Sequence, residues 1–326
     1  MRKLLLGTTA LAAATAMSAS ALADVSIAGN YEFKYGSRSS QVATNDGTFM
    51  AHGGNDLVLT FTNKTDSGLT LSYRYDIGAV GSDGAGLTGD ENSLSISGGF
   101  GKIVLGTDDD AADAYNIDEM DLPTEEATGT SASATIGTSS SIVSDDNMKV
   151  AYHLPAMGGL TAGFSFEDSG YNNGTDKTSY GAKYTMNAAG ASITLGYAAN
   201  TTEATTTDKD ETNMGLKVVS GDLSMIISQG THEAADEDID NQGASISYKM
   251  PNGMTLAAYT FKSEDSLDAG EEYSRSGAEV AYTIASGLTA VVNVDDYDYK
   301  VGTDRDGTST VSDNGTITQL TIKASF

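Results

Sequence analysis

The stretch from Val25 to Tyr35 reads VSIAGNYEFKY, and its side chains alternate between two chemical classes. One set consists of Val25, Ile27, Gly29, Tyr31, Phe33 and Tyr35, and the intervening set consists of Ser26, Ala28, Asn30, Glu32 and Lys34. Successive side chains of a β-strand point to opposite faces. The alternation therefore predicts a strand with one apolar and one polar face.

The same period of two recurs along the rest of the chain and predicts sixteen strands. Their approximate spans are 24–36, 55–63, 68–77, 91–98, 101–107, 147–154, 159–168, 177–187, 190–199, 211–219, 222–230, 241–250, 253–262, 275–285, 287–298 and 315–326. In 253–262 the phase slips between Leu256 and Phe261, a pattern compatible with a β-bulge.

The connections between these runs alternate between short and long. The short ones are marked by Gly, Asn or Pro, as in tight turns. The long ones include 37–54 and 108–146, and most of the long ones are acidic. Most runs have about the length, roughly 9–11 residues, that a tilted strand needs to cross a membrane. We therefore predict an all-β fold, a transmembrane 16-stranded antiparallel up-and-down β-barrel. A soluble β-sandwich or solenoid is the alternative.

The chain begins with Met1-Arg2-Lys3, continues with a short apolar stretch and reaches Ala21-Leu22-Ala23 before Asp24. This order is typical of a secretory signal peptide, predicted here as residues 1–23, which leaves 24–326 as the barrel. After Ala23 no apolar run is long enough for a transmembrane helix, so a membrane-embedded chain must be a barrel.

The chain is strongly acidic, with a formal net charge of −27, and it contains no cysteine. Nucleic acids bind basic surfaces, so no nucleic-acid partner is expected. The three histidines lie in separate segments, and no hydrolase or phosphate-binding motif is present. We expect no enzymatic activity and no cofactor.

Aromatic residues near the predicted strand ends suggest the girdles that flank the apolar band of a membrane barrel. The candidates are Tyr31, Phe33, Tyr35, Phe100, Tyr152, Phe166, Tyr184, Tyr248, Phe261, Tyr297 and Phe326.

Three stretches resemble Gram-negative general porins, in particular the alphaproteobacterial (Rhodobacter-type) branch. They are Asp24–Tyr31 (DVSIAGNY), Phe100–Gly106 (FGKIVLG) followed by acidic residues, and Gln319–Phe326 (QLTIKASF). The resemblance implies an outer-membrane homotrimer in which each barrel is a water-filled channel for passive diffusion of small hydrophilic solutes and ions. It also implies that the barrel-assembly machinery recognises the last strand, which ends at Phe326.

The resemblance further implies that the third long loop, at about 108–146, folds into the barrel and narrows it. Its acidic residues are candidates for the constriction: Asp108, Asp109, Asp110, Asp113, Asp118, Glu119 and Asp121. Lys34, Arg38 and Arg74 come from early strands and are the candidate basic wall opposite these acids. Such an arrangement predicts a weak preference for cations. The path of 128–146 is not predicted.

Several other lysines fall in the polar, lumen-facing phase of their strands: Lys102, Lys149, Lys183, Lys217, Lys249 and Lys323. Of these, Lys102, Lys217 and Lys249 lie close to turns and are expected at the rim.

Acidic loop clusters are candidates for structural Ca²⁺, which prefers oxygen ligands. They are Asp236–Asp238 with Asp240, Asp295-Asp296 with Asp298, and Asp304–Gly307. Divalent ions at such loops would also bridge the protein to lipopolysaccharide, the outer-membrane lipid expected as its partner. Two functional alternatives stay open, namely a substrate-specific outer-membrane channel and a surface adhesin or phage receptor.

Overall fold

A computed structural model describes residues 24–42, 45–54, 56–79, 87–125, 127, 139–142, 144, 147–168, 176–203, 208–235, 237–268, 270–300 and 312–326. The predicted signal peptide, 1–23, lies outside these residues. The strands are β1 Asp24–Ser40, β2 Gly47–Gly53, β3 Asp56–Lys64, β4 Thr70–Ala79, β5 Leu87–Gly98, β6 Gly101–Thr107, β7 Met148–His153, β8 Leu160–Asp168, β9 Asp176–Ala188, β10 Ala191–Glu203, β11 Lys209–Ser220, β12 Leu223–Glu233, β13 Asp238–Lys249, β14 Met254–Asp265, β15 Glu272–Ala285, β16 Leu288–Lys300 and β17 Asp313–Ser325.

The strands form one closed antiparallel barrel, because β1 pairs with β17 on one edge and with β2 and β3 on the other. β2 pairs with the second half of β1 and β3 with the first half, so the two segments occupy one position in the wall. Gly54 lies at the break between them with φ +50°, a backbone conformation that glycine adopts without strain. The wall therefore has sixteen positions, which confirms the predicted barrel. Within the described part of the chain every strand except β2 pairs along both edges, and β2 pairs with β1.

The predicted long loop 37–54 is wrong in its extent, since β1 continues to Ser40 and β2 begins at Gly47. Ser37 pairs with Thr318 on one side and with Thr48 on the other. These polar residues join the strand because the ladder is held by backbone hydrogen bonds, which do not require apolar side chains. Several later strands extend into predicted loops in the same way.

The two faces of the wall follow the predicted alternation. Outward-facing apolar side chains are exposed, as at Ile27 with 62% and Ile227 with 57% of their surface accessible. Lumen-facing polar side chains such as Asn213 and Asn293 are buried in the interior. An apolar exterior around a polar interior is the pattern of a membrane barrel. Among the described residues, no helix is long and apolar enough to cross a membrane.

Two of the predicted girdle aromatics, Phe261 and Tyr297, instead face the lumen and are buried there with Tyr273, Tyr299 and Ile317. The bulge suggested for 253–262 is absent as well, because the β14 register runs without a shift from Met254 to Glu264. β14 has apolar residues on both faces, with Leu256 outside and Tyr259 and Phe261 inside. The alternation in its sequence therefore shows a shift of phase although the strand is regular. Register shifts occur instead at Tyr75/Ile77 and Thr283/Ala285.

Candidate pore constriction

The described part of the β6–β7 loop, residues 108–125, 127, 139–142, 144 and 147, folds into the barrel and lies against its inner wall. Two of its early backbone amides donate to serines of the wall, Ala111 N to Ser165 Oγ at 3.0 Å and Ala112 N to Ser179 Oγ at 2.8 Å. Further along, Ile117 N donates to Asn213 Oδ1 at 3.1 Å. Each bond satisfies a loop amide that would otherwise be buried without a partner. The described part of the loop is thus fastened successively to β8, β9 and β11.

A buried ionic cluster holds the start of this loop. Asp110 Oδ1 lies 3.1 Å from Lys149 Nζ of β7, and Asp110 Oδ2 lies 2.6 Å from Lys177 Nζ of β9. The three side chains are between 0% and 4% exposed. Lys149 Nζ also donates to the carbonyl oxygen of Asp108 at 2.5 Å. Asp110 therefore acts as an anchor of the loop rather than as part of the water-filled surface.

Glu119 is a second anchor and is fully buried. Its Oε2 accepts hydrogen bonds from Ser140 Oγ at 2.7 Å and from Ser228 Oγ of β12 at 3.0 Å. Burial raises the pKa of Glu119, and the two serines oppose that shift. This carboxyl group ties two parts of the loop to the wall.

The loop then reaches the strands around the closure of the barrel, namely β15, β17 and β1. The amides of Thr124 and Glu125 both donate to Glu279 of β15, at 2.8 Å each for the shorter bonds. The Glu125 carboxylate pairs with Lys34 of β1 at 2.5 Å and with Lys323 of β17 at 3.0 Å. Glu125 belongs to the same acidic stretch as the seven predicted constriction acids, but its pairing with Lys34 and Lys323 was not predicted. Its sequence neighbourhood is as acidic as the rest of the loop, so nothing there distinguished it.

These contacts run from β7 to β15 and on to β17 and β1, so β3–β5 face the loop across the remaining lumen. On this wall Arg74 pairs with Asp76 at 2.6 Å and also with Glu91. Arg38 pairs with Asp313 at 2.8 Å and lies over the ring of Tyr297. Each of the three predicted basic residues, Lys34, Arg38 and Arg74, thus has a carboxylate partner. Only the partner of Lys34, Glu125, belongs to the β6–β7 loop.

The seven predicted acids divide into two groups. Asp110, Asp118 and Glu119 are buried, and Asp118 accepts from Met120 N at 2.7 Å and from Asn116 Nδ2 at 2.8 Å. The others reach the water of the lumen, with Asp109 and Asp121 exposed and Asp108 and Asp113 partly exposed. The second group is the one that a passing ion can approach.

A cavity of about 160 Å³ lies between the first turn of the loop and strands β6 and β7. Its lining joins Asp108, Asp109, Asp110 and Asp113 to Lys102 and His153. Carboxylate oxygens of Glu91, Asp108 and Asp109 lie within 4.8 Å of one another, so these three residues could hold a metal ion.

Two lysines from the second half of the chain, Lys183 and Lys217, also lie near the exposed acids. Lys217 Nζ lies 3.9 Å from Asp121 Oδ2, and so Lys217 is not a simple rim residue. Burial, reinforced by the charge of Asp109, raises the pKa of Asp113 to about 6, while Lys183 opposes the shift. Both lysines fall in the lumen-facing phase of their strands, which was the sequence signal for them.

Of the acidic clusters predicted to bind Ca²⁺, one lies in a strand, one lies partly outside the described residues and one lies wholly outside them. Asp295, Asp296 and Asp298 lie in β16, not in a loop, so neighbouring carboxylates point to opposite faces. Asp295 is buried and accepts from Arg275 Nε at 3.1 Å. Asp236 and the segment 304–307 lie outside the described residues.

Comparison with known proteins gives a consistent picture. A family model described as "Gram-negative porin" matches residues 7–325. No curated protein sequence matches the chain significantly. Among solved structures, the anion-selective porin from Comamonas acidovorans has a TM-score of 0.71 at 19% identity, over 94% of this chain and 100% of that chain.

Two further structures are similar. The trimer form of in-vitro folded OmpT, an outer membrane protein of Vibrio cholerae, has a TM-score of 0.68 at 13% identity, over 93% of this chain and 99% of that chain. The outer membrane channel DcaP of Acinetobacter baumannii has a TM-score of 0.63 at 13% identity, over 95% and 98% of the two chains. At these identities the likeness establishes the fold.

Proposed function

The chain belongs to the Gram-negative porin family, and from that premise we propose that it is a general diffusion porin with a weak preference for cations. Family and fold indicate an outer-membrane channel rather than an enzyme. The finer proposal is that small hydrophilic solutes and ions pass down their gradients through a water-filled lumen.

The observation that carries the proposal is the position of the β6–β7 loop. It is fastened to the inner wall by Asp110 at its start and by Glu125 at its far side. The loop therefore narrows the lumen from one side. A fixed constriction of this kind sorts solutes by size and charge.

The charges of the lumen support the cation preference. Asp108, Asp109, Asp113 and Asp121 reach the water, whereas each of the predicted wall cations is paired with a carboxylate. The nearby lysines, Lys102, Lys183 and Lys217, are fewer than these four acids.

A substrate-specific channel would need aromatic surface along the path of the solute. The lumen does contain aromatic residues, but Phe261, Tyr273, Tyr297 and Tyr299 are at most 3% exposed. Packed rings of this kind stabilise the wall and offer no surface to a passing solute, which favours the general porin.

Several finer features belong to the same proposal. We propose a homotrimer, as in the trimer form of the Vibrio protein, export through a signal peptide over 1–23, and contact with lipopolysaccharide. Phe326 is 84% exposed, while its backbone exchanges hydrogen bonds with Gly29, so its ring is available to the assembly machinery. Assignment to the Rhodobacter-type branch and Ca²⁺ binding at acidic groups stay predictions.

The function is tested by single-channel recording in planar bilayers under a salt gradient. Replacing Asp109 and Asp113 together by asparagine is expected to lower the cation-to-anion permeability ratio. A carboxylate about 4 Å from a monovalent ion contributes roughly 1 kcal/mol in water, so we expect a change of roughly two- to fivefold per charge at low salt.

The matched control is Asp66→Asn with Asp222→Asn, which removes two exposed carboxylates from the short turns. Its permeability ratio should stay near that of the wild type. An equal shift in both double variants would mean that the loop acids do not line the path of the ions. A folded wild-type barrel without conductance would contradict the channel itself.

The preference for cations should also weaken as the pH falls from 7.5 to 5. The pKa of Asp113 is raised to about 6, so its negative charge is present above that pH and is lost below it. Asp109, Asp110, Asp118 and Lys183 surround this carboxyl group and set its titration. Reversal potentials measured against pH should show this step, and Asp113→Asn should lack it. A step of the same size in Asp113→Asn would assign it to another group.

A further inference from the structure

Six successive wall strands, β8 to β13, each place a glycine on the lumen-facing side beneath the β6–β7 loop. These glycines, here called the glycine track, are Gly163, Gly181, Gly196, Gly215, Gly230 and Gly243. Within the sheet they are close neighbours: Gly163 is opposite Gly181, Gly196 is opposite Gly215, and Ser228 lies between Gly215 and Gly243. Together with the small side chain of Ser228 they form a strip across the inner wall that leaves room for the loop.

The backbone conformation does not explain these glycines, because none of the six has a positive φ. Glycine in the interior of a strand is unfavourable by about 0.5–1 kcal/mol relative to alanine. Where it occurs without a special φ, it often marks the close approach of another backbone. Six in adjacent strands therefore point to one common neighbour.

That neighbour is the β6–β7 loop itself. A β-carbon at Gly181 would lie 2.7 Å from Cβ of Tyr115, and one at Gly196 would lie 2.8 Å from the carbonyl oxygen of Tyr115. A β-carbon at Gly215 would lie 2.5 Å from Cβ of Ile117. Favourable carbon contacts lie at roughly 3.5–4.0 Å. The loop therefore occupies the space that ordinary side chains of the wall would fill.

The remaining members of the track meet other parts of the loop. A β-carbon at Gly163 would lie 2.8 Å from the Tyr115 hydroxyl, and one at Gly230 would lie 2.6 Å from the carbonyl oxygen of Ser140. At Gly243 it would overlap the Glu119 carboxylate. Every glycine of the track is thus covered by the loop.

We propose that the glycine track positions the β6–β7 loop at its depth in the wall and thereby sets the cross-section of the channel. This inference rests on the proposed channel function. The hydrogen bonds to Ser165, Ser179 and Asn213 hold the loop against the same strands. Added β-carbons would push the loop away from these partners and toward β3–β5, into the space left for solutes.

The test is the double variant Gly196→Ala with Gly215→Ala, compared with Gly29→Ala. Gly29 is a strand glycine of β1 on the outward-facing side, where the nearest atom to an added β-carbon is the Asp56 carbonyl oxygen at 3.3 Å. Single-channel conductance and the uptake of sugars of increasing size into proteoliposomes are measured for both. Heat-modifiable electrophoretic mobility reports whether each barrel is folded.

We expect the double variant to be folded, with lower conductance and a smaller size limit for sugars, and Gly29→Ala to match the wild type. A folded double variant with wild-type conductance and size limit would overturn the proposal. A conductance above the wild type would mean that the loop has left the wall, which also supports a positioning role for the track.

A second variant covers the case in which the double variant does not fold. Gly196→Ala alone places its methyl 2.8 Å from Cδ1 of Ile117 and 2.8 Å from the carbonyl oxygen of Tyr115, and adding Ile117→Ala removes the first of these overlaps. The pair should recover part of the conductance lost in Gly196→Ala, and no recovery would count against the proposal. Wild-type protein is recorded in the same series. If the folded wild-type barrel has no conductance, the result contradicts the proposed channel function rather than the role of the glycine track.

Discussion

Replacing Asp110 by asparagine is expected to lower the free energy of unfolding by about 3–5 kcal/mol, because it breaks a buried ionic cluster by removing its carboxylate. Lys149 and Lys177 both lie within 3.1 Å of this carboxylate, and their side chains are at most 4% exposed. Asparagine keeps the size of the side chain but not the charge. Two buried ammonium groups then lose the acid that they share.

The same change should loosen the start of the β6–β7 loop. Asp110 is followed directly by Ala111 and Ala112, whose amides bond to Ser165 and Ser179. With the anchor weakened, these bonds should open more often, and the single-channel current should become noisier. Urea unfolding of the reconstituted barrel measures the first effect, and bilayer recordings measure the second.

Asp109→Asn is the matched control, since it makes the same chemical change one residue away at an exposed position. It should alter ion selectivity while leaving the midpoint of unfolding and the current noise close to the wild type. If Asp110→Asn were as stable and as quiet as Asp109→Asn, the cluster would not be an anchor of the loop.

The second large effect is expected at Arg275, where replacement by methionine should also lower the free energy of unfolding by about 3–5 kcal/mol. Arg275 and Asp295 have side chains that are 0% exposed, with Arg275 Nε 3.1 Å from Asp295 Oδ1. Arg275 Nη2 also donates to the Tyr259 hydroxyl at 3.0 Å, and the guanidinium lies over the Tyr259 ring. The variant would leave the Asp295 carboxylate buried without this guanidinium.

Unlike Asp109→Asn, this variant should not change the ion selectivity of channels that are folded, because none of the exposed loop acids belongs to this cluster. Adding Asp295→Asn should recover much of the lost stability, since the buried charge is then removed as well. Lys262→Met, which breaks an exposed ion pair with Glu272 on the same strands, should have little effect. Equal losses in Arg275→Met and Lys262→Met would show that burial of the pair is unimportant.

The sequence predicted much of the barrel because a strand shows its two faces directly. The alternation of Val25–Tyr35 indicated which side chains point outward, and closure followed from the need to pair every strand edge. The prediction failed in β14, where Leu256 faces outward and Tyr259 and Phe261 face inward. Apolar residues on both faces carry no information about which face is the lumen.

The candidate site was predicted less completely than the fold. The acids of the β6–β7 loop look alike in the sequence, yet Asp110 and Glu119 are buried anchors while Asp109 and Asp121 reach the water. What separates them is the identity of the opposing wall residue. Those partners, such as Lys177 and Ser228, lie far away along the chain.

What the sequence determined by itself is the sixteen positions of the wall, the chemistry of most strand faces and the acidity of the long third loop, because each of these is a local pattern. Only the tertiary structure decided which acids anchor that loop and where it lies. The glycine track likewise exists only in the tertiary structure. Gly181, Gly196 and Gly215 are separated in the chain and become neighbours only when the strands pair. A surface assembled from many strands is not visible in any one of them.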